Sequence, residues 1–398
     1  MDPPVRPMTE TLKPETDDQV LEIVRWALAG AVPLELIGRG SKRGFGRPVQ
    51  AAHALDLSGL AGIEVYEPEE LVLTARPGTA MAEIEAALAA RGQALAFEPP
   101  DLGPLYGGPA GAGTLGGAVG CNLSGPRRLK AGAARDHVLG IEAVSGRGQT
   151  FKSGGRVVKN VTGYDLPKLL TGAFGTLAAM TRITVKVLPA PETVRTLAVA
   201  GLDDAAGAAV LTRALTSPYE VSGAAHLPAG ILGETARSLV RVEGFGPSVD
   251  SRVAALSRLL GDAGPLTVLD ADESTNLWRR IRDVAPFIGD DRAVWRVSVA
   301  PTAGPRVAAA VAAAHYFDWG GGLVWIAVPP EGDAGAAAIR AAVAAAGGGH
   351  ATLVRAPAGL RAAVPVFEPQ PPALEALGRR VREAFDPKGI LSPGRMII

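Results

Sequence analysis

Two glycine-rich segments contain the residues best suited to chemistry, and the first is a loop at positions 38–44. Its sequence, GRGSKRG, directly follows Pro33–Ile37, an apolar segment typical of a buried strand. Glycines permit positive φ angles, so successive backbone N–H groups can converge on one phosphate. The spacing does not match GxxxxGK[ST], the pattern of a Walker loop. It does not match GxGxxG either, because the third glycine comes one residue late. A plain turn at the strand exit is the alternative interpretation.

The second segment covers positions 111–125 and reads GAGTLGGAVGCNLSG. Residues 111–116 satisfy GxGxxG, and Asp136 follows 20 residues after Gly116. A Rossmann fingerprint must follow a buried strand, however, and the preceding Pro- and Gly-rich stretch 99–109 cannot form one. We therefore reject NAD as the leading ligand. Two loops that could each bind a phosphate, in one α/β region, indicate a dinucleotide ligand. The alternative for the second segment is a lid loop without a ligand.

Regular elements flank both loops and must position them. Thr16 is placed to cap a first helix, and a further helix is expected from about Ala80 to Ala90. Strands are expected near 54–57, 71–76, 137–144, 150–152 and 180–188. The stretch 103–175 holds 18 glycines in 73 residues, which predicts many backbone turns and close approaches there.

The pattern changes after Pro189 and Pro191, where we place a domain boundary. Alternating strands near 196–199, 238–242, 294–299 and 322–328 are interspersed with alanine-rich helices. This pattern predicts an α+β domain with an antiparallel sheet. A final helix is expected from Ala373 to Phe385.

Composition excludes several classes of function. Lys+Arg and Asp+Glu both number 40, so no excess of positive charge is available for nucleic acid. Cys121 is the only cysteine, which excludes an internal disulfide, a CxxC zinc site and an all-cysteine iron–sulfur cluster. No short-spaced histidine pair indicates a metal. No secretion signal or membrane span is visible, which predicts a cytoplasmic protein.

The order of motifs resembles that of the FAD-binding oxidoreductases of the vanillyl-alcohol oxidase (PCMH) type, and most of all their glycolate oxidase E-subunit group. The most specific stretches are LGGAVGCNLSGPRR at 115–128, KNVTGYD at 159–165 and FDPKGILSPGR at 385–395. The resemblance implies an α+β fold with a two-subdomain FAD-binding domain at 1–190. It further implies a cap domain at 191–365 and a C-terminal segment, 366–398, that returns to the FAD-binding domain.

The resemblance also implies cofactor contacts. The first loop would wrap the FAD pyrophosphate, the second would follow the ribityl chain toward the ring, and Arg395 would lie near the ring. Relatives with covalent FAD often carry a histidine in the first loop, so we expect non-covalent FAD here. Relatives often have NPG where this chain has Ser392-Pro-Gly. The implied cofactor-binding residues are Gly38, Arg39, Gly40, Ser41, Lys42, Asp101, Thr114, Gly116, Gly117, Asn122, Ser124, Gly125, Val144, Ile183 and Arg395.

Catalytic residues are not identified by any motif. Oxidation of a 2-hydroxy acid needs a base for the hydroxyl proton and a cation for the carboxylate. Lys159 and Tyr164 in the flavin half are candidates, and so are Arg279 and Arg280 in the cap. A packed tyrosine and an amphipathic helix with solvated arginines explain these residues equally well.

Catalytic relatives carry an HxxGDGN-type metal motif, which is missing here, and the cap histidines His226, His315 and His350 are isolated in sequence. The resemblance therefore implies a subunit that works with a sister FAD-binding catalytic subunit and an iron–sulfur subunit on a small 2-hydroxy acid. Contact with a membrane would be only indirect, through these partners. A self-sufficient dehydrogenase and a flavin-free assembly subunit are the alternatives.

Overall fold

The computed structural model describes residues 10–156 and 163–396. It divides into two compact units. The first unit holds the described residues within Met1–Leu123, Ala133–Pro189 and Pro369–Ile398, and the second holds Ser124–Gly132 and Ala190–Glu368.

Eighteen strands are present in the described part of the chain. They are β1 (Glu10–Leu12), β2 (Leu34–Ile37), β3 (His53–Asp56), β4 (Ile63–Glu67), β5 (Val72–Ala75), β6 (Gln93–Ala94), β7 (Val138–Ser145), β8 (Gln149–Gly154), β9 (Ala178–Lys186), β10 (Leu188–Pro189), β11 (Thr193–Ala200), β12 (Gly223–Leu227), β13 (Arg237–Gly244), β14 (Leu266–Leu269), β15 (Ala293–Ser298), β16 (Ala314–Asp318), β17 (Leu323–Val328) and β18 (His350–Arg355).

Thirteen α-helices accompany them within the same described ranges. They are α1 (Asp17–Gly30), α2 (Met81–Ala89), α3 (Leu115–Gly120), α4 (Arg128–Ala131), α5 (Ala134–His137), α6 (Leu166–Leu170), α7 (Asp204–Leu215), α8 (Gly246–Leu260), α9 (Ala271–Arg282), α10 (Gly304–Val311), α11 (Ala336–Ala345), α12 (Ala358–Ala363) and α13 (Pro372–Phe385).

The first unit is built on two main sheets, which matches the predicted two-subdomain arrangement. A parallel three-stranded sheet has the order β1-β3-β2, and an antiparallel five-stranded sheet has the order β4-β5-β9-β7-β8. The predicted cap of α1 is confirmed, because the Thr16 side chain accepts a hydrogen bond from the Gln19 N–H. Val20, Val24 and Ala27 follow at helical spacing and pack into the core beside the small sheet.

The C-terminal tail packs against β2, as expected. The Leu34 N–H donates to the Ile390 carbonyl at 2.7 Å, and the Ser392 N–H donates to the Leu34 carbonyl at 2.7 Å. The Asp386 carboxylate accepts from the backbone N–H groups of Ile390 and Leu391, which fixes the turn before this pairing. The tail therefore pairs with the strand that leads into the first glycine loop.

The second unit contains one eight-stranded antiparallel sheet with the order β14-β11-β13-β12-β16-β17-β15-β18. The predicted α+β class is thus confirmed. Two apolar cores lie on this sheet, one around Leu197 and Val240 with helices α7 and α8, and one around Trp295 and Ile326 with α10 and α11. Each alanine-rich segment buries its small apolar face there.

Candidate functional site

A cleft in the first unit brings both glycine-rich segments together. Its empty volume is about 780 Å³, including the part that is open to solvent. The lining residues are Leu36, Ile37, Gly38, Arg39, Gly40, Ser41, Lys42, Arg43, Phe45, Leu57, Pro77, Thr114, Gly116, Gly117, Gly120, Cys121, Phe174, Gly175, Ala178, Met180 and Arg395.

The first loop offers a row of backbone donors to this cleft. It begins where β2 ends, and Gly40 has a φ of +73°, which a side chain would disfavour. The backbone N–H groups of residues 39–42 find no acceptor within the described chain. Successive free N–H groups around a left-handed residue form the kind of concave site that binds a phosphate.

The second loop places Thr114 at the start of α3. The Thr114 hydroxyl accepts from the Gly117 N–H at 3.2 Å, and the N–H groups of Leu115 and Gly116 donate to Thr79 and Pro77. The donors of this first helical turn are therefore used inside the protein. The negative charge of a ligand must be met by other groups.

The glycines of the two loops serve different needs. A Cβ on Gly38 would lie 2.6 Å from the Thr114 hydroxyl oxygen, and a Cβ on Gly116 would lie 2.7 Å from the Pro77 Cβ. These two glycines are required by the packing of the chain itself. A Cβ on Gly117 would instead meet the flexible end of Lys42 at 3.2 Å, on the surface of the cleft.

Lys42 carries the positive charge that the cleft needs. Its ammonium donates to the Ser41 hydroxyl at 3.1 Å, and it forms no ion pair with any described residue. Burial lowers the pKa of Lys42, although the nearby Cys121 and Asp101 groups act in the opposite direction. A bound anion would compensate this buried charge. The loop amides and Lys42 together therefore fit a dinucleotide pyrophosphate.

Cys121 lines the same cleft and is its only sulfhydryl among the described residues. Burial raises the pKa of this thiol, while Lys42 and Arg395 lower it. A neutral thiol is a poor nucleophile, so Cys121 serves as a small wall residue here.

Arg395 holds the first loop in place from the C-terminal tail. Its buried guanidinium donates to Glu35 Oε1 at 2.6 Å and to the carbonyls of Arg43 and Phe45 at 2.9 and 3.1 Å. The Ser392 hydroxyl accepts from the Leu36 N–H at 3.0 Å. The tail thereby fixes the exit of β2, and Arg395 itself lies on the cleft wall.

Asp101 and Asn122 do not line the cleft but organise its neighbouring loops. The Asp101 carboxylate accepts from the N–H groups of Gly103 and Gly111, which closes the segment before α3. Asn122 has a φ of +49°, and its side-chain oxygen accepts from the Arg135 N–H at 3.1 Å. Their direct contact with a cofactor stays a prediction.

Four further predicted cofactor residues also lie outside the lining of this cleft. Ser124 and Gly125 belong to the second unit, where the Gly125 carbonyl accepts from the Trp319 indole N–H at 3.1 Å. Val144 and Ile183 are fully buried, on β7 and β9 of the five-stranded sheet. The contact of these four residues with a cofactor likewise stays a prediction.

The candidate catalytic residues are not brought to the cleft. Tyr164 is 89% exposed, and Lys159 falls outside the described residues. Arg279 and Arg280 lie on the exposed face of α9, whereas the adjacent Trp278 is buried and donates to the Thr196 hydroxyl at 2.9 Å. This is the arrangement expected of an amphipathic helix.

The structure adds lining residues that sequence reasoning missed. Phe174, Met180 and Leu57 contribute apolar surface, and the Phe174 ring meets Phe45 edge-on at 5.0 Å. Phe174 adopts a φ of +53°, which is rare for a bulky residue. Its position between glycines in GAFG was the available signal.

Two of the three cap histidines, although isolated in sequence, meet at one carboxylate in the structure. Asp204 lies 2.8 Å from His315 Nε2 and 3.4 Å from His226 Nε2, and His226 Nδ1 lies 2.8 Å from the Ser238 hydroxyl. Residues distant in sequence meet here because β12, β13 and β16 are neighbours in the sheet. Within residues 10–156 and 163–396, no group of three or more potential metal ligands is arranged to hold an ion.

None of the helices described by the structure combines the length and apolar character that a bilayer span requires.

Comparisons with known proteins indicate an FAD-binding family. Residues 9–154 match the family described as FAD binding domain. The glycolate oxidase subunit GlcE of Escherichia coli is 34% identical over 379 residues, which covers 95% of this chain and 96% of that protein. The glycolate oxidase subunit GlcD of Bacillus subtilis is 32% identical over 187 residues, covering 47% of this chain and 38% of that protein.

Solved structures support the fold over almost the whole chain. A 4-ethylphenol oxidase from Gulosibacter chungangensis matches 98% of this chain and 90% of its own length, with a TM-score of 0.72 and 13% identity. A p-cresol methylhydroxylase matches 97% of this chain and 88% of its own, with a TM-score of 0.70 and 14% identity. The 34% identity extends over nearly the full length of both chains, and the fold and the FAD-binding match agree with it. The chain therefore belongs to the GlcE family of glycolate oxidase subunits, a group of FAD-binding oxidoreductases.

Proposed function

We propose that this protein is the FAD-binding subunit of a glycolate-type 2-hydroxy-acid oxidase complex and holds FAD without a covalent bond. The observation that carries the proposal is the cleft where four free loop amides and the unpaired Lys42 ammonium lie beside the second glycine segment. Backbone dipoles and one buried cation can hold an anionic dinucleotide without a basic surface. This agrees with the zero net charge of the chain.

The chain's own residues would bind and orient the cofactor. The amides of residues 39–42 and the Lys42 ammonium would hold the pyrophosphate, and Thr114 with Gly117 would leave room beside it. Arg395 would keep the first loop in its binding conformation through Glu35. When bound, the flavin supplies the redox chemistry, accepting electrons from a substrate or a partner.

The lining of the cleft favours a role within a complex over independent catalysis. Oxidation of a 2-hydroxy acid needs a general base near the flavin. Among the described lining residues there is no His, Asp or Glu. Electron transfer onward through iron–sulfur clusters would require several thiolates, and Cys121 is the only cysteine. A sister catalytic subunit and an iron–sulfur subunit would supply both functions, in the cytoplasm or at the membrane surface through these partners.

Two measurements on the purified chain test the proposal. The visible spectrum, recorded before and after addition of FAD, should show flavin bands that are lost when the protein is denatured and filtered. A protein that stays colourless with excess FAD would favour a flavin-free assembly subunit and refute the proposal. Anaerobic glycolate should leave the flavin of the isolated chain oxidised. Rapid bleaching would instead identify a self-sufficient dehydrogenase.

A further inference from the structure

Arg296 in the second unit carries a charge that the protein does not neutralise by direct contact. It is half-buried on β15, and it makes no hydrogen bond or ion pair with any described residue. Burial lowers the pKa of its guanidinium to about 10; the charge of Arg128 adds to this effect and that of Asp318 opposes it. Charged groups removed from water are normally paired. The exception at Arg296 therefore needs an explanation.

A second guanidinium lies at the same place. The Arg128 guanidinium carbon is 4.6 Å from the centre of the Trp319 ring, and that of Arg296 is 5.1 Å from the same point. The two carbons are thus within about 10 Å of each other, where like charges repel in a partly buried setting. The aromatic ring attracts both cations, but it carries no net charge to cancel that of Arg296. An anion bound at Arg296 would offset this repulsion.

Trp319 is held rigidly in an unfavourable backbone conformation. Its φ is +51°, its backbone N–H donates to the Asp318 carboxylate at 2.7 Å, and its indole N–H donates to the Gly125 carbonyl. A Cβ on Gly320 would lie 2.3 Å from a leucine methyl, and one on Gly321 would lie 2.6 Å from a backbone oxygen. Strain that the surroundings maintain in this way is typical of functional sites.

We propose that Arg296, Arg128 and Trp319 form a binding site for a small carboxylate anion. A guanidinium presents parallel N–H donors that match the two oxygens of a carboxylate. Every residue belongs to the second unit, and none of them lines the cleft of the first. The choice of a 2-hydroxy acid as the natural ligand rests on the proposed function, whereas the carboxylate class rests on the arginines.

The first test is calorimetric titration of the FAD-saturated protein with oxalate, which is redox-inert, and with glycolate. We expect saturable binding by the wild type and dissociation constants at least about tenfold higher for Arg296→Met. The control Arg258→Met removes an exposed arginine of the same unit and should leave the affinity unchanged. Absence of oxalate and glycolate binding in the wild type, or equal binding of chloride, would overturn the assignment. Because FAD content is read from the spectrum, this failure is distinguishable from a failure of flavin binding.

Thermal unfolding provides a second readout. Arg296 has no hydrogen bond or ion pair to lose among the described residues, and the repulsion from Arg128 offsets its attraction to the Trp319 ring, so Arg296→Met should unfold at no lower temperature than the wild type without ligand. Oxalate should raise the unfolding temperature of the wild type only, since a ligand stabilises the state that binds it. Marked destabilisation of Arg296→Met without ligand would show that Arg296 supports the fold and would contradict the proposal. As an independent variant, Arg128→Met should also weaken oxalate binding, and unchanged affinity would contradict it as well.

Discussion

Lys42 provides the sharpest test of how the first unit holds its cofactor. The substitution Lys42→Met keeps the length of the side chain and removes its charge. A hydrogen bond to a charged group contributes about 1.5–3 kcal/mol, so loss of the contact with a pyrophosphate should weaken FAD binding by about 10- to 150-fold. The unliganded protein should lose no stability, because the buried ammonium is paired only with the neutral Ser41 hydroxyl. Flavin fluorescence during titration of the apoprotein gives the dissociation constant.

The pH dependence adds a second readout for the same residue. Burial lowers the pKa of Lys42 below its usual range, and only the protonated ammonium attracts the anion. The FAD affinity of the wild type should therefore fall as the pH rises through this lowered pKa, and Lys42→Met should not show the fall. Arg39→Met is the matched control, because Arg39 lies on the same loop but is exposed, and an exposed charge contributes at most about 1 kcal/mol. Equal effects of the two substitutions would refute the assignment of the buried charge.

The remaining predictions concern packing, pH and the tail. Gly117→Val should abolish FAD binding with little change in the unfolding temperature. Gly116→Ala should instead lower the stability of the apoprotein by about 1–3 kcal/mol, because its Cβ would overlap a proline. The reverse pattern would show that the roles of the two glycines are exchanged. Burial lowers the pKa of His315, but hydrogen bonds to Asp204 and to a backbone carbonyl outweigh this effect and raise it overall. Burial raises the pKa of Asp204, but its two histidine partners outweigh this effect and hold it well below its usual range. The stability that His315 gains from Asp204 is complete below about pH 6.5 and is lost as the pH rises above that value. The stability that Asp204 gains from the histidines is lost as the pH falls below about 3.8. Chemical denaturation at several pH values should therefore show a stability maximum between these two values, and Asp204→Asn should flatten it. Arg395→Met should lower the free energy of unfolding by about 3 kcal/mol, since it leaves a buried glutamate with only a more exposed arginine as partner, and an unchanged denaturation midpoint would contradict this.

Local sequence signals predicted many elements of the fold correctly. Thr16 and the two aspartates that follow it marked the start of α1, and the alanine-rich segments formed α7, α8, α10 and α11. The short strands β1 and β14 were not predicted: β1 has only three residues, and none of the four residues of β14 is buried. They are strands because neighbouring strands satisfy their backbone groups.

The site was predictable in part. The glycine spacing identified both loops and rejected a Rossmann fold, and α3 is indeed a six-residue helix with no buried strand before it. The sequence could not tell that its first N–H groups donate to Thr79 and Pro77, nor that Lys42 is buried without an ion pair. Hydrogen-bond partners and burial depend on segments that are far apart in the chain.

By itself, the sequence determined the α+β class, the two glycine-rich loops, the neutral charge and the single cysteine, because these follow from composition and local spacing. Only the tertiary structure decided which glycines serve packing and which face the cleft. It also decided that Ser392 bonds Leu36 across 356 positions, and that Arg296 and Arg128 share Trp319. The physical reason is that steric fit and electrostatic energy depend on distances in space, which chain separation does not fix.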